Sequence, residues 1–284
     1  MKAKTLIDKT FIPTHASWTE ACQATTHLAI GAHQDDLEIM AYHGIAACYH
    51  QQDQWFGGVI ATNGAGSPRS GKYQNYSDAE MQQVRHGEQI KAAEIGHYAF
   101  VTQLGYPSQI VKSTEASPPL VQELREILIQ VQPRILYLHN PFDSHATHIA
   151  LLTCCLQALK DLPPEQQPQT VYGCEVWRSL DWLHEEHKVA LPTDQHPELA
   201  SQLLNVFESQ ISGGKNYHDA ALGRRKANAT FYHAHQVDTF SSCTWALNLT
   251  SLIRKNAPAL SEFMRSRLTA FNQAVFEKWP HTSS

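Results

Sequence analysis

Apolar positions along the chain follow two alternating rhythms. Compact apolar runs at 28–30, 55–62, 99–104, 134–139 and 170–179 have the length and the β-branched and aromatic content of buried strands. Between them the spacing turns helical. Ile39, Tyr42, Ile45, Ala46 and Tyr49 share one face over 38–50. Met81, Val84, Ile90, Ala93 and Ile95 do so over 78–96, and Leu120, Leu124, Ile127, Leu128 and Val131 follow the opener Ser117-Pro118-Pro119. Strands alternating with helices of this length imply right-handed crossovers, hence an α/β fold: a doubly wound, Rossmann-like, mostly parallel sheet flanked by helices. Residues 1–25 carry little periodicity and read as an extended arm with a short helix. Past residue 180 the rhythm gives way to helices at 196–210, 217–233 and 259–278. The expected organisation is therefore a core over 1–180 and a mainly helical region over 181–284 packed on it, as one domain or a subdomain.

Composition narrows the partners. With 284 residues and 42% hydrophobic content the chain can bury a large core, and 22 Lys+Arg against 27 Asp+Glu leave no basic footprint for nucleic acid. The first residues lack a continuous apolar stretch of signal-peptide type and no later window is long enough to span a bilayer. The expectation is a cytoplasmic protein without membrane insertion, its homo-oligomerisation left open. Six cysteines show no CxxC pairing and read as reduced core residues.

Chemistry concentrates in two places. In 26–42, THLAIGAHQDDLEIMAY, a buried strand runs into Gly31 and then delivers His33, Asp35 and Asp36 at its C-terminal end. The acids suit a helix N-terminus, and capping alone would account for them. The second place follows the strand at 134–139, where His145 and His148 lie three apart at the opening of a helix and so share a face. In a doubly wound sheet these two strand ends flank one crevice. His33, Asp36 and His148 can meet there, and two nitrogens with one carboxylate oxygen are a catalytic zinc set that also accepts Fe2+. The loop 63–75, rich in Gly, Ser, Pro and Asn, follows another strand end and is expected as a lip over the site. Its Gly64-x-Gly66 lacks the third glycine of a dinucleotide fingerprint. His184-Glu185-Glu186-His187 has the wrong spacing for a zincin motif and reads as a solvated segment.

Ala32-His33-Gln34-Asp35-Asp36, followed about a hundred residues later by His145-Ala146-Thr147-His148, resembles the LmbE/PIG-L zinc deacetylases. The family's usual first motif is Ala-His-Pro-Asp-Asp-Glu, so Gln34 stands for the proline and Leu37 for the glutamate. The resemblance spans roughly 26–160, with weaker echoes at Arg85-x-x-Glu88, Glu175-Val176-Trp177 and Ser209-Gln210. It implies that His33, Asp36 and His148 bind zinc, that Asp35 is the general base, and that His145, as a protonated ring, assists the oxyanion or the leaving amine. Arg85 resembles the family's substrate-contacting arginine, although a pair with Glu88 or Glu80 on its own helix is the alternative. The implied activity is zinc-dependent hydrolysis of the N-acetyl group of an N-acetylglucosamine-type small molecule, a reaction on a linear amide C–N bond. Alternatives are an amidase acting on a thiol-conjugate amide, a non-catalytic metal- or sugar-binding protein on the same scaffold, and, on sheet rhythm alone, a nucleotide-binding oxidoreductase. Trp177, Trp182 and Tyr217 are candidate stacking rings for a sugar, and Asn63 and Arg69 are loop candidates.

Overall fold

In the computed structural model, which describes residues 5–113 and 117–279, the apolar runs assemble into one eight-stranded sheet. Its strands are β1 (Thr10–Phe11), β2 (Thr25–Gly31), β3 (Trp55–Thr62), β4 (Phe100–Tyr106), β5 (Ile135–His139), β6 (Thr170–Cys174), β7 (Val189–Pro192) and β8 (Cys243–Asn248). They lie in the order β1-β4-β3-β2-β5-β6-β8-β7, with the five from β4 to β6 parallel and antiparallel pairings at both margins. The helices are α1 (Trp18–Ala24), α2 (Asp36–Met40), α3 (Tyr42–Cys48), α4 (Asp78–Ile95), α5 (Ser108–Lys112), α6 (Ser117–Val131), α7 (Ala146–Lys160), α8 (Pro197–Asn205), α9 (Glu208–Ser212), α10 (Tyr217–Thr230) and α11 (Leu260–Glu277).

Successive strand residues enter different cores. Leu28, Ile30, Val59, Leu136 and Leu138 join Leu124 and Leu128 of α6 and Leu151 and Cys155 of α7. Ala29, Ile60 and Tyr137 join Ile45 of α3, Ala92 of α4 and Leu199 and Leu203 of α8. Burial on both faces explains why these strands read as unbroken apolar runs. Each fully buried aliphatic side chain contributes about 1.5–3 kcal/mol of transfer free energy. All six cysteines are buried and unpaired.

Several elements differ from expectation. The helix read over 38–50 is two, α2 and α3, broken at Ala41, whose φ of −113° and ψ of 18° leave the helical region. The arm adds an antiparallel edge strand, β1, along β4; its first four residues lie outside the described ones. The segment 196–210 splits into α8 and α9, and the second half supplies two strands, β7 and β8, that complete the sheet. Among the described residues no helix is long and apolar enough to cross a membrane. Strand order reverses between β2 and β5, so their C-terminal ends open the crevice where doubly wound sheets bind ligands.

Candidate metal centre and active site

The corner after β2 is built on close approach. A Cβ on Gly31 would lie 2.9 Å from the Asp36 Cβ, so glycine lets the chain fold back and set α2 against its own strand. Asp35 adopts φ 94°, a left-handed conformation that is costly for a non-glycine residue and persists where surroundings enforce it. Its side chain makes no capping bond. Instead Arg85 of α4, almost fully buried, donates from Nη2 to an Asp35 carboxylate oxygen at 3.2 Å and to the Gln34 carbonyl, while its Nη1 lies 3.7 Å from Glu88. Gln34 tethers the loop sideways: its amide donates to the Thr62 carbonyl and to Gln103, each at 3.2 Å. Leu37, at the position of the family's glutamate, is a buried core residue, and the buried Glu38 beside it accepts from Tyr98 and Gln89, each at 2.8 Å.

The corner after β5 supplies the other half. Asn140 Oδ1 accepts from the Phe142 amide at 2.8 Å and its side-chain amide reaches the Cys174 carbonyl at 2.9 Å, fixing the turn. Asp143 accepts from the backbone amides of His145 at 2.9 Å and Trp177 at 3.2 Å. Its Oδ2 lies 3.4 Å from His148 Nδ1, the arrangement that orients an imidazole to present Nε2. His145 caps α7 through Nδ1, which accepts from the Thr147 amide at 3.3 Å.

The two corners meet. His33 Nδ1 is 3.2 Å from His148 Nε2 and 3.4 Å from Asp36 Oδ2, and His148 Nε2 is 3.4 Å from the same oxygen. A tetrahedral ion with ligand bonds of ~2.0–2.1 Å requires ligand atoms ~3.4 Å apart, so the donor triangle fits a zinc-like ion. The electrostatics agree. Burial alone would raise Asp36, but His148 and His139 hold its carboxyl well below the usual range. Burial works against a charged His148, yet Asp36 and Asp143 bring it up to about 9, so this cluster favours positive charge at its centre.

Asp35 differs from its neighbour. Burial pushes its carboxyl up to about 6 against the opposing pull of Arg85, with Asp36 adding to the rise. His145 is brought down to about 4 by burial, then by His148 and His33. Sequence reading assigned nothing to His139. It is buried, stacks on His148 at 3.8 Å between ring centroids, and lies 3.3 Å from Asp36 Oδ2. Its Nε2 accepts from the Ala32 amide at 3.0 Å, which occupies the lone pair a metal would use. Its position at the very end of β5 was the available signal. Asp143, two residues before His145, was equally within reach.

Of these groups His33, Asp35, Asp36, Arg85 and His145 line a cavity of about 530 Å³, whereas His148, His139 and Asp143 are buried and not part of its wall. Its wall includes Gly64, Gly66, Ser67 and Pro68, so the glycine-rich loop does form a lip. Asn63 and Arg69 are absorbed in that loop: Asn63 Oδ1 accepts from the Ala65 amide at 3.1 Å, and Arg69 pairs with Asp78. The second half contributes Val176, Trp177, Gln210, Lys215, Tyr217 and Arg224. Trp177 is 42% exposed, 5.8 Å from the His145 ring and 6.1 Å from Tyr217; Trp182 instead packs between Phe142 and Phe271. The weaker echoes are structural joints. Glu88 accepts from the Ser209 amide at 2.7 Å and hydroxyl at 2.6 Å, and the buried Glu175 accepts from Leu180, Trp245 and Asn228. His184 and His187 flank Glu186 at 3.5 Å each on the surface, away from the cavity.

Fold and cluster together define a Rossmann-like protein with a candidate His/Asp metal centre at its topological switch point. Residues 28–159 match the family model described as PIG-L, GlcNAc-PI de-N-acetylase, and this stretch is similar to the PIG-L/LmbE family. Solved structures share the architecture. The N,N'-diacetylchitobiose deacetylase of Pyrococcus horikoshii aligns with a TM-score of 0.63 at 15% identity over 84% of this chain and 88% of that one. The 4-carboxy-2-hydroxymuconate hydratase GalB of Pseudomonas putida KT2440 gives 0.61 at 16%, over 80% and 96%. The A40926 pseudoaglycone deacetylase Dbv21 gives 0.58 at 13%, over 80% and 97%. At such identities the likeness is one of fold. No curated protein sequence matches the chain.

Proposed function

We propose that the chain is a metal-dependent N-deacetylase acting on an amino-sugar derivative. The observation that carries this reading is the triangle of His33 Nδ1, Asp36 Oδ2 and His148 Nε2 beside a second carboxylate, Asp35, that is not part of it. These three atoms would hold zinc, or a related divalent ion such as Fe2+, which when bound supplies an acidified water and polarises the amide carbonyl.

Asp35 takes the proton of the attacking water. At about 6 its pKa leaves it ionised at neutral pH, yet basic enough to accept a proton and return it to the departing nitrogen, which leaves poorly as an anion. Arg85 keeps that carboxylate ionised and in place. Its Nη2 is engaged by Asp35 and the Gln34 carbonyl while Nε and Nη1 keep no hydrogen-bond partner, so in this reading it holds the base and, as a residue of the cavity wall, can also meet the sugar. His145, neutral and with Nδ1 engaged by Thr147, keeps an Nε2–H to donate to the carbonyl oxygen as negative charge develops there.

The cavity suits a small saccharide. Trp177 offers an exposed ring face beside His145, and Lys215 lies over that ring at 5.3 Å. Lys112, Lys215 and Arg224 line the cavity, and its lining carboxylates are Asp35 and Asp36. On a chain of net charge −5 this rim favours an amino sugar with an anionic substituent.

The test is elemental analysis of wild type and His148→Ala, paired with fluorescamine detection of amine release from N-acetylglucosamine derivatives bearing neutral or anionic aglycones. About one divalent ion per chain, lost in the variant, with amine release by wild type alone, is the expected result. Metal without amine release from any compound would turn the reading towards hydration of a conjugated acid, the chemistry named for one of the structural neighbours. No metal in wild type overturns it.

A further inference from the structure

The helix that carries Asp36 cannot hold itself. α2 has five residues, too few for a nucleated helix in water, and its last carbonyls lack helical partners. Those carbonyls are met from the far half of the chain. Arg225 of α10, 3% exposed, donates from Nη2 to the Glu38 carbonyl at 2.6 Å and to the Ile39 carbonyl at 3.1 Å. Its guanidinium lies 4.9 Å from the centroid of the Tyr42 ring, whose hydroxyl is anchored on the Gln195 and His196 carbonyls.

No carboxylate pairs with this arginine among the described residues, and its Nε and Nη1 are buried without partners. A buried cation lacking a counter-ion is a poor device for stability; a methionine of similar reach would be cheaper to bury. Its positive charge does complement the C-terminal end of α2. At the opposite end Arg85 grips Asp35 and the Gln34 carbonyl, so this corner is clamped from α4 on one side and α10 on the other.

We propose that Arg225 is a positioning residue for the metal centre: by holding the Glu38 and Ile39 carbonyls it fixes α2 so that Asp36 Oδ2 stays within reach of His33 and His148. This rests on the metal-binding part of the proposed function and is independent of which bond is hydrolysed. It gives α10 a role besides lining the cavity with Tyr217 and Arg224.

The experiment compares wild type, Arg225→Met, Arg225→Lys and, as a control for general loosening of α10, Asn228→Ala, which touches Glu175 and the Cys243 carbonyl but not α2. Zinc affinity is measured by competition with a chromophoric chelator, the cobalt(II) derivatives give electronic spectra, and melting is followed on the metal-stripped proteins. Arg225→Met is expected to weaken zinc binding about 10–100-fold and to alter the cobalt spectrum, with Arg225→Lys intermediate, whereas Asn228→Ala lowers melting without either change. If Arg225→Met does not fold, Arg225→Lys carries the test, since a lysine keeps the charge but cannot span both carbonyls as the guanidinium does. Zinc affinity and spectrum like wild type in a folded Arg225 variant, or an equal loss in Asn228→Ala, overturn the proposal while leaving the proposed function standing. A wild type that binds no divalent ion overturns both.

Discussion

Histidines gather near both ends of β2, and the two gatherings have different chemistry. At the C-terminal end His33, His139, His145 and His148 stand among three carboxylates, Asp35, Asp36 and Asp143, beside a cavity. Towards the other end His27 Nδ1 meets the Thr26 hydroxyl at 2.9 Å and the Cys48 thiol at 3.2 Å, and its ring stacks on Tyr137, whose hydroxyl reaches His43 Nδ1 at 2.9 Å. Those partners are neutral. Burial therefore prevails: His27 is pushed down to about 4 and His43 is lowered as well, while two carboxylates raise His148 to about 9. At the carboxylate end His139 and His145 are likewise brought down to about 4, and the difference rests on His148, which Asp36 and Asp143 both face.

The sharpest way to break the comparison is to remove the carboxylates one at a time. Asp35→Asn removes the proposed base and none of the three donor atoms. Turnover should fall by about 10²–10⁴-fold with metal content unchanged, and a variant with near-wild-type kcat would eliminate Asp35 as the base. Asp143→Asn leaves the triangle intact but withdraws the acceptor behind His148 Nδ1. Zinc affinity should drop about 10–100-fold, and chelator competition would detect it.

Next in size is a pH effect that separates charge from position. Asp35 acts when ionised, and burial holds its pKa up to about 6, so kcat/KM should fall below about pH 6, approaching tenfold per unit. Arg85 opposes the rise, so Arg85→Gln should move this limb to higher pH. Arg225, whose hydrogen bonds go to two carbonyls of the same corner and to no carboxylate, should leave the limb in place when substituted. A wild-type profile flat down to the ordinary aspartate value would show that Asp35 does not govern the rate.

Much of the site was legible because its donors sit in short stretches at strand ends. His33, Asp35 and Asp36 follow an apolar run directly, and His145 and His148 keep helical spacing, so strand order alone brings them together. Trp55–Thr62 was readable to the residue for the same reason: a strand buried on both faces has no polar interruptions. The misses share a cause as well. Strands β7 and β8, with four and six residues, sit at an antiparallel margin where pairing decides the structure more than local pattern does. The break at Ala41 follows no proline or glycine, and Arg225, which meets the Glu38 and Ile39 carbonyls just before it, lies 184 positions along the chain from Ala41 and is invisible to periodicity.

The smallest expected effect lies at the end of β2 that lacks carboxylates. His27 titrates near 4 when folded and near 6.5 when unfolded, so the unfolded chain binds more protons between those values. The stability contributed by burying the neutral ring is fully present above about pH 6.5 and is lost as pH falls towards 4, to a total of about 2–3 kcal/mol. His27→Gln should remove that share of the slope. Urea titrations of metal-stripped wild type and variant between pH 4 and 7 isolate it, because the site histidines and carboxylates titrate alike in both. Parallel stability curves would mean that His27 is solvated enough to hold its proton in the fold, and the contrast between the two ends of β2 would then rest on geometry alone.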